Sequence, residues 1–228
     1  MEIIPGLTTT KRDAIPAFVA ALRSSERRRI ALFPTVLDGA ERRELYRALE
    51  SVEGLHIPHV HLRTDMQVDE IRYLQERFGA ELFNIHPAAS RHPFGPVPGE
   101  IAARVFVENV EVPPTESDLQ AVGGMCPDYS HLESARIVGQ TEYVEATELL
   151  LERYTIGCCH VSAIRPGERN EWNGGPDFHT MRRVRDLDYM RGYRAFLPRR
   201  WVSLELENSL AEQEEAVRYL ERLLAAPE

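Results

Sequence analysis

Strand-like and helix-like segments alternate eight times along this chain, and any candidate fold must satisfy that alternation. MEIIPGL reads as a first short strand and DAIPAFVAALRSS as its helix. RRIALFPTV is strand two, followed by GAERRELYRALESV, which is apolar at helical spacing. LHIPHVHL is strand three, and VDEIRYLQERFG a helix with Gly79 as its C-terminal stop. AELFNIHP is strand four, and the Pro- and Gly-rich AASRHPFGPVPGE a loop. ARVFVENV is strand five, TESDLQAV a brief helix with a capping-type start, GGMCPDYSH strand six and EYVEATELLLERY the helix after it. IGCCHVSAI is strand seven. The long polar loop RPGERNEWNGGPDFHTM then precedes the helix DLDYMRGYRAFL, strand eight WVSLELE and the strongly periodic last helix SLAEQEEAVRYLERLLAA.

Strands that alternate with helices form a parallel sheet, and eight units are enough to close it into a (β/α)8 barrel. The 228 residues give about 28 per unit, near the small end for such a barrel. No linker divides the chain, so residues 1–228 read as one domain. An open doubly wound sheet fits the alternation but not the count. It would also want a glycine-rich phosphate turn after strand one, which this chain lacks.

Composition excludes several classes. No apolar run approaches the roughly 20 residues of a membrane span, and MEIIPGLTTTKRD lacks the layout of a signal peptide. Three clustered cysteines, Cys126, Cys158 and Cys159, do not make a disulfide framework, so a reducing cytoplasm is expected. Net charge is −9, which disfavours nucleic acid and anionic membrane as partners. Lys11 is the only lysine, and its exposed-looking context argues against a Schiff base.

Six of the eight histidines fall at or near the ends of the expected strands or in the loop after strand seven: His59, His61, His86, His131, His160 and His179. Carboxylates accompany them: Glu108, Asp128, Asp177 and Glu205. In an enzyme barrel the C-terminal strand ends line one mouth, so polar groups at successive strands face one another. A single strand-end histidine is ordinarily a hydrogen-bonded core residue. So many ionisable groups in one mouth, however, stay repelled or unsatisfied without a cation or substrate. Glu108, Asp128, His160 and Glu205, from strands five to eight, make a mixed oxygen and nitrogen set suited to Mn, Zn, Mg or Fe. His59 and His61 share a strand parity, so both can point inward, and either is a candidate. Glu205 and Glu207 pose the same choice, with Glu207 also readable as a rim residue. His56 has the opposite parity and reads as surface, His92 as a lid contact or nothing, and Cys158–Cys159 as strand packing.

The ordered motifs resemble the xylose-isomerase-like barrel superfamily, which includes sugar isomerases and epimerases and the endonuclease IV type of AP endonucleases. VFVEN is similar to its strand-five Glu-Asn, CPDYSH to its Asp-x-x-His, CCHV to its strand-seven His and VSLELE to its final Glu. The likeness covers strands three to eight. It implies a divalent metal held by Glu108, Asp128, His160 and Glu205. The endonuclease branch uses nine ligands for three metals, and every position has a candidate here: His59 or His61, His86, Glu108, Asp128, His131, His160, Asp177, His179 and Glu205. Sugar isomerases often keep several of these histidines as substrate ligands.

On that resemblance the chain is expected to be a metal-dependent isomerase or epimerase of a small polyhydroxy carbonyl compound. Glu108 and Glu205 would exchange the proton, and His131 would hydrogen-bond the substrate oxygen. Substrate contacts are expected from His86, His131, Arg165, Trp172 and Glu207; Arg165 resembles the arginine after the strand-seven His of sugar epimerases, with spacing one residue shorter. The polar loop from Arg165 to Pro176 is expected to act as a lid hinged on Gly167, Gly174 and Gly175. The rivals are a metallohydrolase that cleaves phosphoesters with two or three metals, and a non-catalytic sugar-binding protein. Against the nuclease, the chain is acidic and short, and its basic cluster of Arg182, Arg183 and Arg185 is small. Barrels of this kind often pair, so a homodimer is an expectation.

Overall fold

The computed structural model describes residues 1–225; the expected end of the last helix at Ala226 lies outside the described residues. Eight short parallel strands form the inner layer. β1 runs in two pieces, Glu2–Ile4 and Gly6–Thr8, broken at Pro5, which has no N–H to give a ladder. β2 is Arg29–Phe33, β3 His56–His61, β4 Leu82–Ile85, β5 Val105–Glu108 and β6 Gly124–Cys126. β7 is Cys158–Val161 and β8 Trp201–Leu204. The second piece of β1 pairs with β2, and the ladder continues in order to β6. The first piece of β1 pairs with β8, and β8 with β7. Between β6 and β7 the parallel bridges Met125–Ile156 and Asp128–His160 complete the ring. The result is a (β/α)8 TIM barrel.

Gln213 mends the break in β1. Gly6 N–H donates to Gln213 Oε1 at 2.8 Å, and Gln213 Nε2 donates to Gly6 O, Leu206 O and Asn208 O. Buried backbone groups left without strand partners are thus satisfied by one side chain. Gly6 must be glycine: a Cβ there would lie 2.0 Å from Leu204 O.

The outer layer is α1 (Ile15–Ser24), α2 (Gly39–Glu50), α3 (Val68–Phe78), α4 (Glu116–Gln120), α5 (Tyr129–Val138), α6 (Thr141–Arg153) and α7 (Leu210–Ala225). Side chains alternate along each strand. Ile30, Leu32, Val60, Phe83, Val107 and Val202 belong to the large core beneath the helices. The opposite parity fills the barrel with two smaller clusters, one of Ile4, Ala31, Phe33 and Trp201 and one of Phe106, Cys126 and Cys158. Above them the inward positions turn polar, which places the site at the C-terminal mouth. Among the described residues no helix is long and apolar enough to cross a membrane.

Three expectations change. Strand six stops at Cys126 instead of running to His131. Pro127 has no N–H to donate to a ladder, and Asp128 caps a helix by accepting from the N–H groups of Ser130 and His131. That helix, α5, ends at Gly139 with φ 79°, an additional element between β6 and α6. The segment DLDYMRGYRAFL is a 3₁₀ run, Val184–Phe196, whose buried Leu187, Met190 and Tyr193 recur every third residue, as three residues per turn require. The long polar loop carries a hairpin, in which Ala163–Ile164 pairs antiparallel with Asp177–Phe178.

Candidate metal centre

Glu108, Asp128, His160 and Glu205 each bring one donor atom to within 4.8 Å of the others. Their elements explain the convergence. Glu108 is the last residue of β5, and His160 lies near the end of β7. Glu205 follows β8, and its N–H donates to Val161 O at 2.9 Å, which continues the ladder into the mouth. Asp128 is fixed twice. Its backbone N–H donates to Asn109 Oδ1 at 2.8 Å, and Asn109 Nδ2 donates to its carbonyl at 3.0 Å. Its Oδ1 caps α5, which leaves Oδ2 buried and without a hydrogen-bond partner. Capping consumes one oxygen and aims the other.

The four groups are at most 4% exposed. His160 Nδ1 lies 3.1 Å from Glu205 Oε2 and 3.5 Å from Glu108 Oε2, yet neither of its ring nitrogens makes an aligned hydrogen bond. Burial pushes the Glu108 carboxyl up, but the His160 charge, with His61 and His86 close by, holds it well below the usual range. Burial likewise raises Glu205, but the charges of His179 and His160 outweigh it and leave the carboxyl at about 2. Burial lowers His160; Glu108 and Glu205 overcome that and keep its imidazole protonated well above the ordinary value. Packed carboxylates here demand positive charge, and orphaned buried polar atoms such as Asp128 Oδ2 are costly without a partner. Oxygen and nitrogen donors in this number fit a divalent cation of the Mg, Mn, Zn or Fe kind.

A second group shares Glu108. His61, His86 and Glu108 bring donor atoms within 4.8 Å of one another. His61 Nδ1 hydrogen-bonds Leu62 O at 2.9 Å, which turns its Nε2 toward this group. That Nε2 is 3.0 Å from His86 Nε2 and 3.3 Å from Glu108 Oε2. Burial and then the His61 charge bring His86 down to about 4, so it stays neutral, as a ligand must.

The other expected ligands part company. His59 lies a layer lower than His61, and both its ring nitrogens are engaged, by Ser203 and Asn84. It approaches Cys126 and His160 but has no free lone pair to offer. His131 sits in the first turn of α5, where Nδ1 is 3.1 Å from Asp177 Oδ2 and Nε2 is 3.6 Å from Asp128 Oδ2. Burial lowers His131, but Asp128 and Asp177 raise it to about 10. Asp177 also accepts from Ser134, Asn170 and Asn173, so its oxygens are filled by protein donors. His179 is half-buried and joins no ligand group among the described residues.

Of the expected substrate contacts, Trp172 stands over the mouth, 54% exposed, its ring 5.5 Å from His131 and 6.3 Å from His179. Glu207 accepts from Thr10 and Thr180 and pairs with Lys11 at 2.8 Å, so it is a bonded rim residue. Arg165 is buried in the hairpin, its guanidinium 3.3 Å above the Phe178 ring. His92 is exposed. Asn109 is the Asn of the VFVEN motif, whereas the sequence reading missed Asn84, Ser134 and Ser203, which also hold the ionisable groups in place. Asn84 and Ser203 share the inward parity of their strands, the one signal that could have found them.

No protein-family model and no curated protein matches the chain. A solved structure does: a xylose isomerase-like TIM barrel protein from Mycobacterium smegmatis, in complex with magnesium. It superposes with a TM-score of 0.52 at 14% identity, with 98% of each chain covered. The likeness shows the fold alone, a TIM barrel.

Proposed function

We propose that this protein is a divalent-cation-dependent isomerase or epimerase of a small polyhydroxy carbonyl compound. The observation that carries the reading is the convergence of Glu108, Asp128, His160 and Glu205, with the buried Asp128 Oδ2 left without a hydrogen-bond partner. A bound cation supplies Lewis-acid polarisation of the substrate carbonyl, which acidifies the neighbouring C–H. Glu108 and Glu205 reach the same point from β5 and from the end of β8. One takes the proton and the other returns it. His131, protonated between Asp128 and Asp177, donates to the substrate oxygen that gains charge. Trp172 offers an aromatic face to a sugar ring.

A second reading has one observation in its favour: Glu108 is shared with His61 and His86, the layout of a two-metal centre. Such a centre would hydrolyse phosphoesters, with Glu108 common to both ligand groups. The saturated Asp177 and the chain's net charge of −9 weigh against a third ion and a nucleic-acid substrate. Elemental analysis of protein purified without chelator, with a sugar screen for solvent deuterium uptake, tests the choice. One ion per chain with exchange supports the isomerase; two or three ions without exchange support the hydrolase.

A further inference from the structure

Beneath the quartet a line of hydrogen bonds crosses the barrel from β8 to β5. Ser203 Oγ is 2.8 Å from His59 Nδ1, and His59 Nε2 is 3.1 Å from Asn84 Oδ1. Asn84 Nδ2 donates to Glu108 Oε2 at 2.7 Å. Ser203, His59 and Asn84 are 0% exposed and Glu108 3%. The sense of the line is set from its charged end. A carboxylate only accepts, so the Asn84 NH₂ must face Glu108 and its Oδ1 must face His59. His59 then carries its hydrogen on Nε2, and its Nδ1 accepts from the Ser203 hydroxyl. This arrangement gives every group in the line a partner.

We propose that His59 is a positioning residue for Glu108, acting through Asn84. It fixes which way the Asn84 amide points, and that amide fixes the Glu108 carboxylate. The inference rests on the quartet binding a cation, as proposed above. Reversal of the Asn84 amide would set two bare acceptors 2.7 Å apart at Glu108 Oε2, in a buried place where repulsion is poorly screened. That Oε2 is the oxygen His61 and His160 approach at 3.3 and 3.5 Å, so its direction bears on both ligand groups. A polar core that only filled space would have no reason to end on that atom. A separate cation site of His59, Cys126 and His160 is disfavoured, because both His59 nitrogens are already engaged.

The test is calorimetric titration of Mn²⁺ alone into wild type, His59→Leu and His59→Gln, with thermal midpoints recorded. Groups that hold a metal ligand are typically worth about 10- to 100-fold in metal affinity. His59→Leu should weaken Mn²⁺ binding by that factor. His59→Gln offers both an amide donor for Asn84 and an acceptor for Ser203, and should recover most of the affinity even where its thermal midpoint falls. Equal Mn²⁺ affinity in wild type and His59→Leu overturns the proposal, as does a His59→Gln that binds as poorly as His59→Leu. Should His59→Leu not fold, Ser203→Ala replaces it: unchanged affinity there overturns the proposal, and weakening of about tenfold supports it. A wild type that takes up no Mn²⁺ removes the cation site itself and this inference with it.

Discussion

Asp177 and His131 are locked together at the mouth, with Oδ2 and Nδ1 3.1 Å apart, and the same carboxylate is held by Ser134 and two asparagines of the hairpin loop. The pair behaves as an oriented donor, so Asp177→Asn should lower turnover by about 10- to 100-fold through loss of that orientation. Metal content should not change. Loss of an ion equivalent in this variant, or in His179→Ala, would instead make these residues ligands of a further ion.

Glu108→Gln should nearly abolish turnover while the fold persists. Loss of a general base alone costs roughly 10²- to 10⁴-fold. The variant also leaves Asn84 Nδ2 facing an amide in place of a carboxylate. Circular dichroism should match wild type, and isotope exchange should vanish.

His61→Ala separates the readings at the second ligand group. Its Nε2, 3.0 Å from that of His86, leaves room for one ion at most. The isomerase account expects metal stoichiometry by elemental analysis to stay at one per chain. A fall by one equivalent would support the two-metal reading.

The cation-free protein should be most stable near pH 6.5. His131, raised from 6.5 to about 10, and His160, also raised, contribute stability in full below their unfolded values and lose it as pH rises through the folded ones. His86, lowered from 6.5 to about 4, is neutral when folded, so its contribution fades as pH falls from 6.5 toward 4. Glu205, lowered from 4.5 to about 2, loses its contribution below pH 4.5. Thermal midpoints across pH should trace this dome. Saturating Mn²⁺ should move the optimum upward, because a ligating His160 must release its proton.

Trp172 should report on substrate. With 54% of its surface exposed above His131, it should be covered when a sugar binds. Its fluorescence should change, and Trp172→Ala should raise KM more than it lowers kcat. An unchanged emission on adding a turned-over substrate would count against the contact.

The barrel was legible because alternating strand and helix periods leave few topologies, and the site because inward parity and strand ends place polar residues in one mouth. Glu108, Asp128, His160 and Glu205 converge where the motif order put them. Two residues show the limits. His59 and His61 have the same parity, so alternation cannot rank them; depth along β3 does, with His59 one layer down against Ser203 and Asn84. The sequence pattern predicts a strand through His131, but Pro127 and the cap at Asp128 turn the chain into α5 first. Capping is a local contest between ladder and side chain, and apolar patterning does not record it.

Proton exchange tests the central claim most directly. The Mn²⁺-loaded protein, incubated in D₂O with a panel of aldoses and ketoses, should place deuterium on the carbon next to the carbonyl of at least one of them, by NMR. Glu108→Gln under the same conditions should place none. No exchange with any sugar, with two or three tightly bound ions per chain and cleavage of a phosphodiester, would contradict the isomerase account.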